Sequence, residues 1–149
     1  MAAITQITTY RTASRWHPGD VAALRRLHPQ QPWWGRHLWW CLWYWPQTCF
    51  LAEHHVAEAD PTIIGYVQLA QSGSVSVTVD PQWRRRGVAT TLLRVLQTYA
   101  LPTDTAMTVS IAAGNGAAQG LLRRTGFVRR CSPNGNGQEV WVWYAARRR

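Results

Sequence analysis

The densest run of chemistry-bearing side chains lies in "VDPQWRRRGVATTLLRVLQTYA", residues 79–100, where Arg84, Arg85 and Arg86 lead straight into Gly87. After the glycine, Val88, Leu92, Val95, Leu96 and Tyr99 recur at helical spacing, so a helix should begin there. A helix start leaves backbone N–H groups without partners and carries a partial positive charge, which suits it to a phosphate. Glycine takes a side chain out of the ligand's path, Ala89 keeps the approach narrow, and arginines add charge-assisted contacts. The chemistry implied is capture of a phosphorylated ligand at a strand–helix junction. An arginine run also serves as a plain solvated face, and the surrounding elements decide between the two.

Residues 4–12 alternate as a strand, and "HPGDVAALRRLH" reads as a short amphipathic helix. Pro18 sits in its first turn, Asp20 near its positive end, and Val21, Leu24 and Leu27 on one side. Residues 32–45, "PWWGRHLWWCLWYW", hold six of the ten tryptophans and are expected to form a second helix. "TCFLAEHH", "TIIGYVQLA" and "SVSVTVD" read as a meander of three antiparallel strands. The arginine-led helix follows, then a strand at "AMTVSIAA", a helix at "NGAAQGLLRRTGF" stopped by Gly126, and a closing hairpin of "FVRRC" and "EVWVWYA". The order βααβββαβαββ implies an α/β fold, a mixed sheet with helices packed on it, in a single domain over 1–149.

Composition narrows the function classes. With 46% hydrophobic and 15% charged residues in 149, the chain has the material for a core and is not of the disordered class. No apolar run approaches the roughly 20 residues a membrane span needs, and the start lacks a basic flank followed by an apolar stretch. A cytoplasmic protein with no membrane partner is expected. Cys41, Cys49 and Cys131 form no CxxC, so they read as packing residues. His54 and His55 are adjacent and would point to opposite faces of a strand, a poor chelate, so no metal is expected. The net charge is +9, and every basic side chain apart from histidine is arginine. Such a surface attracts nucleic acid, phosphorylated ligands or acidic proteins alike. A nucleic-acid-binding module is one class it would fit, but no reading motif is present and the basic residues are scattered along the chain.

The motifs now resemble a known family. "RRRGVA", Arg84 to Ala89, resembles the Q/R-x-x-G-x-G/A signature of the Gcn5-related N-acetyltransferases (GNAT). "NGAAQGLLRRTGF" is similar to that family's N-x-x-A-x-x-L-Y-x-x-x-G-F segment, with Asn115, Ala118, Leu121, Gly126 and Phe127 in place. The element order agrees, so the resemblance covers nearly the whole chain. It implies an N-acetyltransferase that moves an acetyl group from acetyl-coenzyme A to a primary amine by direct attack in a ternary complex. It further implies that the backbone of Arg85, Arg86, Gly87, Val88, Ala89 and Thr90, helped by the Arg84 side chain, grips the pyrophosphate. The pantetheine arm would lie in a splay between the strands at 74–79 and 107–112, pairing with backbone groups of Val77 and Val79, with Thr78, Asn115 and Ala118 beside it.

Two positions depart from the family pattern. Many members carry a proton-donating Tyr where this chain has Leu122, and many carry a Glu where it has Ser110. Transfer would then proceed without a strong acid, or a substitute would serve: Glu53, Tyr66, Cys131 or Tyr144. A catalytically silent homologue that binds acyl-coenzyme A as a sensor is the other reading of Leu122. The tryptophan-rich segment falls where the family's acceptor-side helices lie. It would pack into the core, form a homodimer contact, or offer an acceptor pocket with Trp33, Trp34 and Trp40.

Overall fold

The computed structural model describes residues 7–13, 18–27, 48–56, 59–70, 72–103, 106–131 and 136–145. Strand β1 (Ile7–Thr12) is followed by helix α1 (Pro18–Leu27), and then β2 (Thr48–His55), β3 (Thr62–Leu69) and β4 (Val75–Val79) run as the expected meander. Helix α2 (Val88–Ala100), strand β5 (Met107–Ala112), helix α3 (Gly116–Arg124) and the hairpin β6 (Val128–Cys131) and β7 (Gln138–Trp143) complete the order. The second helix expected in the tryptophan-rich stretch lies outside the described residues, as do Trp33, Trp34 and Trp40.

The strands divide into two antiparallel sheets, β1-β2-β3-β4 and β5-β7-β6. They meet at one parallel bridge, Ser74 opposite Thr108, where the Thr108 amide donates to the Gly73 carbonyl at 2.8 Å. The mixed character of the fold rests on that link, and beyond it β4 and β5 part.

A bulge in β3 sorts side chains between the two faces of the first sheet. Ala52 is paired with Gly65 and Glu53 with Ile63, so Ile64 has no opposite number and the alternation shifts. Ile64 and Val67 therefore pack with Leu92, Leu93 and Leu96 of α2, while Tyr66 packs with Cys49, Leu51 and Leu27 of α1. The three α2 leucines are fully buried, and each contributes about 2 kcal/mol of apolar burial. The buried stripe of α2 is Val88, Leu92, Leu93, Leu96 and Ala100. Tyr99, expected inside, is 52% exposed and meets Phe50 edge-on, because the small Ala100 takes the inward position beside it.

Candidate functional site

The parting of β4 from β5 opens a groove of about 1100 Å³. One wall is β4 and the turn into α2, with Val77, Thr78, Val79, Arg84, Arg85, Gly87, Val88, Ala89 and Thr90; the other includes Ser110 of β5 and Asn115, Ala118 and Leu122. Antiparallel pairing explains why the β4 edge is chemically open. The Ser74 carbonyl accepts from Ala70 and the Asp80 amide donates to Ile64, so even-numbered residues turn their main-chain groups toward β3. Val75 lies at the bridge to β5, and beyond it Val77 and Val79 turn theirs into the groove, where an extended chain with amides could pair as an added strand.

The turn at the head of the groove is built by local sequence. Asp80 accepts from the Gln82 amide at 3.1 Å and caps a short 3₁₀ turn, Pro81–Trp83. Arg26 of α1 donates to the same carboxylate at 2.8 Å and to the Ile63 carbonyl at 2.6 Å. These hydrogen bonds, that of Arg26 first, hold the Asp80 carboxyl below its ordinary range. After the turn, Arg85 (φ 63) and Gly87 (φ 78) both adopt the left-handed conformation, which gathers backbone N–H groups into an anion-binding concavity. Gly87 caps α2 with no side-chain hydrogen bond, and no acidic residue lies in the first helical turn. A Cβ at Gly87 would meet nothing within 4 Å. Backbone conformation, not crowding by the protein, is what calls for glycine there.

The three arginines have separate placements. Arg84 folds back, its Nε donating to the Val79 carbonyl at 3.4 Å. Arg86 lies over the Trp83 ring at 4.8 Å, and the buried His54 ring is 4.2 Å from the same indole. Arg86 is not among the groove-lining residues, whereas Arg85 is. The Arg86–Trp83–His54 stack and the Asp80 cap escaped the sequence reading; only the "DP" dipeptide before Gln82 signalled the cap.

At the far wall, Asn115 Oδ1 accepts from the Ala118 amide at 3.1 Å, capping α3. Gln119 donates to the Ala113 carbonyl at 2.9 Å and to Glu139 at 2.7 Å, and Arg129 reaches the same buried carboxylate at 3.1 Å. That clamp fixes the β5–α3 turn to β7.

Glu53 and Tyr66, expected as proton carriers, do not line the groove. Glu53 is buried and ion-paired with Arg11, which also holds buried Asp20 through two hydrogen bonds of 2.6 and 2.8 Å. Tyr66 is 2% exposed in the cluster under α1. Tyr144 is exposed and away from the groove, and the Cys131 side chain lies outside the described residues. Burial, with a contribution from Asp20, pushes the Cys49 thiol up to about 12, so it is no nucleophile at neutral pH. Leu122 is 2% exposed, at once core residue and groove wall.

A nucleotide–thiol carrier fits these features. The uncapped start of α2 and the left-handed turn suit a diphosphate, and the open edge of β4 suits an amide-bearing arm. Among the described residues no helix is long and apolar enough to cross a membrane. No curated protein matches the sequence. Among solved structures, an N-acetyltransferase from Staphylococcus aureus Mu50 is 16% identical with a TM-score of 0.75, covering 93% of this chain and 99% of that one. The ribosomal-protein-S18-alanine N-acetyltransferase from Escherichia coli is 15% identical with a TM-score of 0.68, covering 93% and 94%. YncA from Salmonella typhimurium, solved with its cofactor acetyl-CoA, is 16% identical with a TM-score of 0.70, covering 94% and 95%. At these identities the likeness is one of fold. The model of the acetyltransferase (GNAT) family matches residues 16–127. With three-quarters of its length inside that match, and with the uncapped α2 start and the β4–β5 splay in place, the chain belongs to the acetyltransferase (GNAT) family, whose acyl donor is acetyl-CoA.

Proposed function

We propose that the protein transfers the acetyl group of acetyl-CoA to a primary amine by direct attack, with both substrates bound together. The observation that carries this reading is the groove itself: an open strand edge leading to an uncapped helix start. The amine lone pair forms the new C–N bond, the C–S bond breaks, and the thiolate leaves with the electron pair. The protein's part is to hold thioester and amine at reacting distance and to direct strand N–H groups near Val79 toward the carbonyl oxygen as charge builds there. Among the described lining residues the strongest acids besides the arginines are the hydroxyls of Ser76, Thr78, Thr90 and Ser110. Water therefore protonates the thiolate and takes the surplus proton of the amine. Glu53 is held by Arg11 and is not among the residues that line the groove.

The acceptor belongs on the side of the tryptophan-rich segment with Trp33, Trp34 and Trp40, whose apolar faces and indole N–H groups suit a flat or cationic amine. A cytoplasmic location belongs to the same reading. Incubating the protein with acetyl-CoA and a panel of polyamines, amino acids and peptide N-termini tests it: thiol release dependent on one amine class is expected. Leu122 favours one other reading, a silent acyl-CoA sensor. Calorimetric binding with no thiol release on any amine would decide for the sensor.

A further inference from the structure

We propose that Arg124 forms a second anion subsite in the groove and reads the ribose 3′-phosphate of the donor, so that the protein discriminates coenzyme A from its 3′-dephospho form. This rests on the acetyl-CoA reading above and adds a specificity determinant to it. Among the described residues, three arginines line the groove, Arg84, Arg85 and Arg124, and no carboxylate does. Arg84 is turned back onto the Val79 carbonyl, and Arg85 stands at the uncapped start of α2, where a diphosphate is already served by backbone N–H groups. Arg124 comes from the other wall, in the last turn of α3.

Its neighbour shows that this direction is specific. Arg123 lies over the Trp141 ring at 5.5 Å, in the second sheet, while Arg124 is directed into the groove. Arg124 Nη1 lies along the same helix, 3.5 Å from where a Cβ on Gly120 would stand, an ordinary contact distance. Among the described residues no acidic side chain is paired with Arg124. An exposed arginine on a groove wall whose described residues include no carboxylate, on the wall opposite the diphosphate cradle, matches a ligand that carries a separate phosphomonoester. Coenzyme A carries one on its ribose. A guanidinium binds it through paired, charge-assisted hydrogen bonds.

The test is calorimetric titration of coenzyme A and 3′-dephospho-coenzyme A into wild type, Arg124→Ala and Arg124→Lys. Wild type should bind coenzyme A about tenfold tighter than the dephospho form. Arg124→Ala should close that gap by losing affinity for coenzyme A alone, the dephospho form binding within twofold of wild type. Arg124→Lys should restore part of the gap, since it keeps the charge and loses the fork. Equal binding of the two nucleotides by wild type, or an Arg124→Ala loss shared equally by both, overturns the subsite and leaves the donor site standing. Failure of wild type to bind either nucleotide overturns the donor site and this subsite with it.

Discussion

The Thr108 amide and the Gly73 carbonyl, 2.8 Å apart, form the hinge at which the two sheets separate. Below this bond β4 and β5 are tied through the Ser74–Thr108 bridge; above it they diverge and the groove begins. Gly73 is buried at φ 88, and a Cβ on it would stand 2.6 Å from the Ala106 carbonyl oxygen. Gly73→Ala should therefore cost about 2 kcal/mol or more, through left-handed strain and displacement of the backbone beside β5. Chemical denaturation checks the loss, and unchanged stability would mean the hinge is looser than described.

The arginine run separates by substitution. Arg85→Ala should weaken acetyl-CoA binding about tenfold, the value of one charge-assisted contact in an open site. Arg86→Ala should change affinity less than about threefold, because that guanidinium covers Trp83. Indole fluorescence should register Arg86→Ala through the uncovered ring. Equal losses from the two variants would contradict the separate placements.

Leu122 is packed among core residues, so Leu122→Tyr enlarges a filled site and should lower stability by about 1–3 kcal/mol. Because water is assigned the proton transfers, kcat should stay within about twofold of wild type at temperatures where the variant is folded. A large rise in kcat would show that a donor is missing at this position and that protonation of the thiolate limits the rate.

Burial holds the Cys49 thiol near 12 against an ordinary value of 9.0. In the unfolded chain this group loses its proton above about pH 9, while in the folded protein it keeps it. Its contribution to stability is therefore complete below that pH and declines as pH rises toward 12. Alkylation at pH 8, followed by mapping of the peptide that carries Cys49, should find it protected in native protein and modified on unfolding. Rapid native labelling would contradict the burial.

What could be read from the sequence is what depends on short-range period and backbone chemistry. The strand at Val75–Val79, the helix opening at Gly87 and the Asn115 cap follow from alternation, helical spacing and capping rules, and these elements frame the groove. Side-chain direction was less legible. Three consecutive arginines look alike in sequence, yet one is drawn to a carbonyl, one to an indole and one to the groove. Their partners come from other elements, as the His54 contact with Trp83 illustrates. Glu53 read as an available carboxylate because nothing local announces Arg11, which reaches it from the neighbouring strand. The β3 bulge that turns Tyr66 toward α1 is likewise a matter of register between strands, invisible to a period-two count.

The central claim is that the turn at Gly87 is the diphosphate cradle, and calorimetric titration of acetyl-CoA into wild type and Gly87→Glu tests it most directly. Glu would force a side chain into a left-handed position and set a carboxylate beside the uncapped helix start. A loss of affinity of about a hundredfold or more, with the far-ultraviolet circular dichroism of a folded protein retained, is the expected result. Undiminished binding by that variant would contradict the claim.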